Sequence, residues 1–131
     1  MTLFPTIVLA FGVLFAGYTA WIGLSAPRGF ASRLGLTTVG RDGLNEVRAQ
    51  YGGFFLAVAV VGALALAGLL PRLAGLVLYA AVFGGLIFGR LASLGLDRGA
   101  GPHNPTIRAL FVIDSVGFAA SLAALALESR I

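Results

Sequence analysis

The sequence lacks cysteine and lysine and is poor in charged residues of any kind. With no cysteine, and with His103 as its one histidine, the chain cannot form a disulfide, a thiol redox couple or a zinc site of cysteine and histidine ligands. We therefore expect no metal site and no cofactor. Charged side chains make up 11% of the 131 residues, whereas about a quarter is usual in soluble proteins. So few polar residues cannot cover the surface of a soluble domain.

Hydrophobic residues dominate what is present. They make up 59% of the chain, and the mean hydropathy is +0.98. This composition predicts an integral membrane protein with a single domain over residues 1–131. The arginines flank apolar segments instead of forming a run, which argues against nucleic acid as a partner and favours anchoring at lipid phosphates.

Four apolar segments predict four membrane-spanning helices, at about residues 3–24, 43–70, 73–96 and 105–128. We expect Asp42 to cap the second helix, and Asn104 followed by Pro105 to begin the fourth. Short connections make neighbouring helices antiparallel. The predicted fold class is therefore an all-α integral membrane protein, built as a four-transmembrane-helix up-and-down bundle.

The segment between the first two spans is predicted to contain a short interfacial helix. Pro27 suits a first helical turn, Phe30 and Leu34 share a face at four-residue spacing, and Gly35 is placed to end the helix.

The arginines are distributed unequally between the two sides of the predicted bundle. The connections after the first and third helices hold Arg28, Arg33, Arg41, Arg98 and Arg108. The opposite side has Arg72 and Arg130. By the positive-inside rule, the richer side is cytoplasmic and both termini lie outside.

Small residues recur at helical spacing within the spans. Ala81, Gly85 and Gly89 follow one another every four residues in the third helix, and Gly62 of the second helix and Gly117 of the fourth add to them. Such spacing lets helix backbones approach closely in lipid. We predict packing within the bundle, with a homodimer face as the alternative.

A candidate site is formed by Glu46, Arg48, Tyr51, Arg90 and Asp114, which come from three helices near their cytoplasmic ends. Arg90 lies about 9 Å of helix rise from the end of its helix and Asp114 about 13 Å from the start of its own, so an ion pair is feasible. We expect a pocket with charges at its mouth and aromatic residues deeper down. Arg48 cannot share the direction of Glu46 and is expected to face lipid phosphates. The alternative is that these charges only join the helices.

Two other polar residues are given no part in this site. His103 lies among glycine and proline residues and is predicted to be a solvated loop residue, and Asp97 is predicted to cap or solvate the end of the third helix.

The run from Asn45 to Gly53, the pair Gly89-Arg90 and a carboxylate in the fourth helix together resemble a bacterial membrane family known as domain of unknown function 4345. That carboxylate is glutamate in much of the family and Asp114 here. The layout is more distantly similar to DoxX-like membrane proteins. The resemblance implies a four-helix bundle in a bacterial inner membrane. In such a membrane, the side that the arginine count assigns to both termini is the periplasm. The resemblance implies no activity, substrate or cofactor.

Several functions remain open at this point. The first hypothesis is a small non-catalytic membrane protein, which is either an accessory subunit of a larger membrane complex or a binder of a lipid-like molecule at the polar cluster. Its partners would be membrane lipid, other membrane-protein subunits or a second copy of the chain. The alternative is a small proton-coupled transporter or an intramembrane enzyme that uses Glu46 or Asp114.

Overall fold

A computed structural model describes residues 3–130 and contains helices and no strand within that range. The elements are α1 (Leu3–Ser25), α2 (Pro27–Arg33), α3 (Gly40–Val47), a π-helical segment (Arg48–Gly53), α4 (Phe54–Leu66), α5 (Arg72–Leu96) and α6 (Pro105–Glu128). The third, fourth and fifth of these follow one another without a break and form one long helix, Gly40–Leu66. The described chain therefore has four helices that are long and apolar enough to cross a membrane.

The four long helices form an antiparallel bundle. α1 packs mainly against α4 and α5 mainly against α6, while contacts of α1 with α6 and of α4 with α5 close the ring. The outer surface is apolar as well, since Leu14 is 73% exposed and Phe88 is 74% exposed. Helices that are hydrophobic on every side are typical of an apolar environment.

The predicted bounds of the second span are wrong at both ends. Its first helical residue is Gly40, the preceding Val39 makes no side-chain cap, and Asp42 lies inside the first turn instead of capping it. From there its carboxylate still lies at the favourable end of the helix dipole. At the other end the helix finishes at Leu66, because Gly68 adopts a left-handed conformation with φ of +75° that helices use to terminate.

The π-helical segment is a feature that the sequence pattern did not predict. α1 passes close to it, since a Cβ atom on Gly23 would come within 2.9 Å of the Gly52 backbone nitrogen. A π-helical turn contains one residue more than an α-helical turn. Side chains on either side of it are therefore rotated relative to the faces expected for a regular helix.

α2 forms where the spacing predicted it and ends at Arg33, and Gly35, just beyond its C-cap residue Leu34, has a left-handed φ of +77° that suits the end of a helix. Asn104 caps α6 as predicted, accepting a hydrogen bond from the Ile107 amide at 2.9 Å. Its side-chain amide also donates to the Arg33 carbonyl at 3.2 Å. This second bond holds α2 against the start of α6 and places both arginine-rich connections at one end of the bundle, which we call the α2 end.

Glycines let the helices pack closely at some of the predicted positions, such as Gly62 and Gly117, but not at all of them. A Cβ atom on Gly85 or Gly89 would meet nothing within 4 Å, so the prediction that these residues pack against a neighbouring helix is wrong. The neighbouring Gly84 instead faces Phe118 of α6, with 2.9 Å from a Cβ to the ring. Consecutive helical residues point about 100° apart. Gly84 and Gly85 therefore point in different directions, and Gly84 is the one that faces α6.

The centre of the bundle is filled by Tyr79, which is 1% exposed. Cβ atoms on Gly12 of α1 and Gly62 of α4 would both clash with its side chain. The tyrosine of α5 therefore joins three helices.

Replacing Gly62 by alanine should destabilise the bundle by about 1–3 kcal/mol, since the new methyl group meets the Tyr79 hydroxyl. Adding Tyr79→Phe removes that oxygen and should restore part of the loss. Gly17→Ala is the matched control, because a Cβ there meets nothing within 4 Å. Unfolding of the purified protein in detergent measures all three, and equal stability of Gly62→Ala and Gly17→Ala would contradict the assignment.

Candidate functional site

A cavity of about 740 Å³ lies at the α2 end, among α1, α2, the π-helical segment, the start of α4, α5 and α6. This volume is within the range of roughly 300–1,000 Å³ that is usual for small-molecule sites. Most of its wall is aromatic or aliphatic, and Phe15, Phe55, Leu86 and Leu110 contribute to it. Such a wall suits an apolar ligand group.

The polar side of the cavity contains the ion pair predicted from helix levels. The Arg90 Nε donates to Asp114 Oδ2 at 2.6 Å. The Asp114 side chain is completely buried, and that of Arg90 is 19% exposed. The Arg90 guanidinium also lies 5.8 Å from the centroid of the Phe111 ring, at cation–π distance. A buried carboxylate needs such a partner because the desolvation of a lone charge is costly.

The pair does not satisfy all of its own hydrogen-bonding groups. Within residues 3–130, Asp114 Oδ1 is buried and has no hydrogen-bond partner. In the same part of the chain, Arg90 uses Nε for its bond to the carboxylate, and its terminal nitrogens meet no acceptor. Buried polar groups normally have partners. Since Asp114 is fully buried, the partly exposed Arg90 guanidinium is the polar group of the pair that a molecule in the cavity can reach beside the apolar wall.

Tyr51 borders this cavity, as expected of a site residue. Its ring makes an edge contact with Phe30 of α2, with 5.2 Å between the centroids, and lies parallel to Phe55 at 6.5 Å. The tyrosine thus links α2 to the long second span.

Glu46 lies in a neighbouring cavity of about 640 Å³, apart from the ion pair. Gln50 lines the same space and donates to Glu46 Oε1 at 3.1 Å. Tyr51, Phe55 and Leu86 form part of the wall of both cavities. The predicted convergence of four charges on one pocket is therefore wrong for Glu46, whose helix carries it to the other side of Tyr51.

Arg48 lines neither of the two cavities. It is exposed, and its Nε donates to the Leu24 carbonyl at 3.3 Å, near the end of α1. The last carbonyl groups of a helix lack intrahelical partners, and a nearby cation can satisfy them. The structure thus places Arg48 at a helix terminus and outside the site.

The larger cavity is also lined by two residues that were not part of the predicted site, His103 and Arg33. His103 lies in a loop as predicted, but it is half-buried instead of solvated, with its ring centroid 5.4 Å from that of Phe111. Both residues are held over the cavity by the bond between Asn104 and the Arg33 carbonyl. Asn104 and Arg33 are 71 positions apart, and no local sequence pattern predicts a hydrogen bond between residues so far apart. Asp97 stays at the end of α5 and accepts a hydrogen bond from Ser93 at 2.7 Å.

A second ion pair lies at the opposite end of the bundle. Arg72 Nε lies 3.5 Å from Glu128 Oε1, and the Arg72 guanidinium donates to the Thr6 hydroxyl at 2.7 Å. These contacts join α5, α6 and α1. None of the three residues lines the larger cavity.

Fold and cavity together define a small helical bundle with four helices apolar enough to cross a membrane and an amphipathic cavity at one end. No protein-family model, curated protein or solved structure matches the chain. The resemblance drawn from the Asn45–Gly53 motif stays a prediction.

Replacing Arg90 by methionine should lower the free energy of unfolding by about 3–5 kcal/mol, because Asp114 then loses its buried partner. Adding Asp114→Leu should recover most of this loss, since no unpaired charge remains. Arg98→Met is the control on an exposed arginine outside the cavity. A double variant that is no more stable than Arg90→Met would show that the two side chains are not coupled.

Proposed function

We propose that this chain is a multi-pass protein of a bacterial inner membrane that binds a lipid-like molecule in the cavity at the α2 end. The observation that carries the proposal is the cavity itself, which combines an apolar wall with the partly exposed guanidinium of Arg90. The bacterial location rests on the proposed membership of the domain of unknown function 4345 family.

Insertion in a membrane is supported by the outer surface of the bundle. Each of its four long helices contains an 18-residue window with a mean hydropathy of 1.8 or higher. Large apolar side chains project outward along them, as at Leu14, Phe88 and Val112. Exposure of such a surface to water is energetically unfavourable, whereas the hydrocarbon tails of lipids solvate it.

The orientation follows from the arginines. The bond between Asn104 and the Arg33 carbonyl supports placing the α2–α3 and α5–α6 connections on one side. The positive-inside rule then puts the α2 end, with the cavity, in the cytoplasmic half and the termini in the periplasm.

A lipid-like ligand fits the surroundings of the cavity better than a soluble one. Tyr18 of α1 lines the cavity and is also 58% exposed, so the cavity is open beside α1. The cavity thus reaches the surface that would face lipid, and a molecule could enter it sideways from the bilayer. Its apolar part would lie against Phe15, Phe55 and Leu110, and its polar group beside Arg90 and Asp114.

Filling the cavity should abolish retention of the ligand. Gly85 and Gly89 line it, and neither would bring a new Cβ within 4 Å of another atom. The double variant Gly85→Leu/Gly89→Leu should therefore fold, since leucine also has a helix propensity about 1 kcal/mol better than glycine. Native mass spectrometry after mild extraction should find a lipid-sized adduct on the parent protein and lose it in the variant.

Gly95→Leu provides the matched control, because it lies on the same helix in open space and lines no cavity described above. It should retain the adduct as the parent protein does. Equal retention by the filled variant, or no adduct on the parent protein, would contradict the proposed function.

The absence of natural cysteine allows the orientation to be tested with single thiols. Thr37→Cys lies in the α2–α3 connection and Ser129→Cys follows α6, and both positions are exposed. A membrane-impermeant maleimide should label Ser129→Cys in spheroplasts and Thr37→Cys only after lysis. The opposite pattern would reverse the topology.

A further inference from the structure

The charged residues around the larger cavity favour one kind of ligand headgroup. Its ionisable side chains, besides two tyrosines, are Arg33, Arg90, His103 and Asp114. Two arginines against one aspartate leave a net charge of +1 with the histidine neutral. Glu46 contributes to the neighbouring cavity and not to this one.

The arginine of the ion pair has binding capacity left. Its Nε is used by Asp114, and within the described residues its two terminal nitrogens meet no acceptor. A guanidinium presents its N–H groups as a planar fork that matches the oxygens of a carboxylate or a phosphate. With the carboxylate of Asp114 held on the Nε side, the terminal nitrogens are left for such an anion.

Arg33 adds a second cation from a different element. It is exposed, so it lies at the mouth of the cavity, and the bond from Asn104 to its carbonyl fixes its backbone there. A molecule in the cavity therefore has a largely buried arginine, Arg90, and an exposed one, Arg33, among its surroundings.

We infer that the lipid-like molecule of the proposed function carries an anionic headgroup, a carboxylate or a phosphate, which binds at Arg90 and Arg33 while its hydrocarbon chain occupies the apolar wall. This inference rests on the proposed function, because the hydrocarbon chain is part of it. A free anion without a chain would use the same arginines, so the experiment separates the two sources.

The experiment titrates the protein in nanodiscs of zwitterionic phospholipid with four probes and measures binding by native mass spectrometry. The probes are hexadecanoate, hexadecyl phosphate, hexadecanol and inorganic phosphate. We expect the two anionic amphiphiles to bind at least about tenfold more tightly than the alcohol, which is the effect of one charge-assisted hydrogen bond. Inorganic phosphate should bind much more weakly than hexadecyl phosphate.

Three variants test whether Arg33 and Asp114 affect the binding of the anionic headgroup. Arg33→Gln should weaken hexadecanoate severalfold, and Arg28→Gln should not, because Arg28 lies on the same short helix but does not line the cavity. Asp114→Asn should tighten hexadecanoate and leave hexadecanol unchanged, since it removes the negative charge beside Arg90. A purely structural pair predicts instead that Asp114→Asn changes the affinity for both probes by the same factor or leaves both affinities unchanged.

The outcomes separate the two proposals. Equal binding of hexadecanoate and hexadecanol, with no effect of Arg33→Gln, would overturn the anionic headgroup and leave the lipid-binding function standing. Binding of inorganic phosphate as tight as that of hexadecyl phosphate would support the anion site and overturn a lipid-like ligand. Failure of all four probes to bind would overturn both.

Discussion

The ion pair between Arg90 and Asp114 is the constraint on which the α2 end depends. Asp114 is completely buried in a largely apolar bundle, where a carboxylate without a partner is energetically costly. Its bond to Arg90 therefore fixes the level and rotation of α5 against α6. Further along the same interface, Phe83 fits over Gly117 and Phe118 over Gly84. The ion pair and the close packing thus require the same alignment of α5 along α6.

The two ends of the bundle differ in how well they are filled. Towards the termini, Gly75 lies close to Ala65 and Leu9, and Tyr79 occupies the space between Gly12 and Gly62. At the α2 end, Gly85 and Gly89 have no close neighbour and border open space. The same residue type thus gives contact in one half of α5 and a cavity wall in the other, according to the direction in which each glycine points.

Several elements followed from local patterns because the forces behind them are local. The lengths of the apolar segments predicted four long helices, Asn104 and Pro105 marked the start of α6, and the levels of Arg90 and Asp114 predicted their contact. The end of the second span at Leu66 was missed, because Gly68 stops the helix before the apolar run is over. The π-helical segment was missed because it accompanies a close crossing with α1, a contact between distant parts of the chain.

The sequence by itself determined the number of long apolar helices, their antiparallel order and the charged residues available to a site. Only the tertiary structure decided which of those residues share a cavity. It brings in Arg33 and His103 through a hydrogen bond between residues 71 positions apart, and it leaves Glu46 and Arg48 outside. The physical reason is that hydropathy and spacing fix a side chain's level along its helix. The direction of a side chain around the helix axis, by contrast, changes across a π-helical turn, and the position of a connecting loop depends on the distant residues that it contacts.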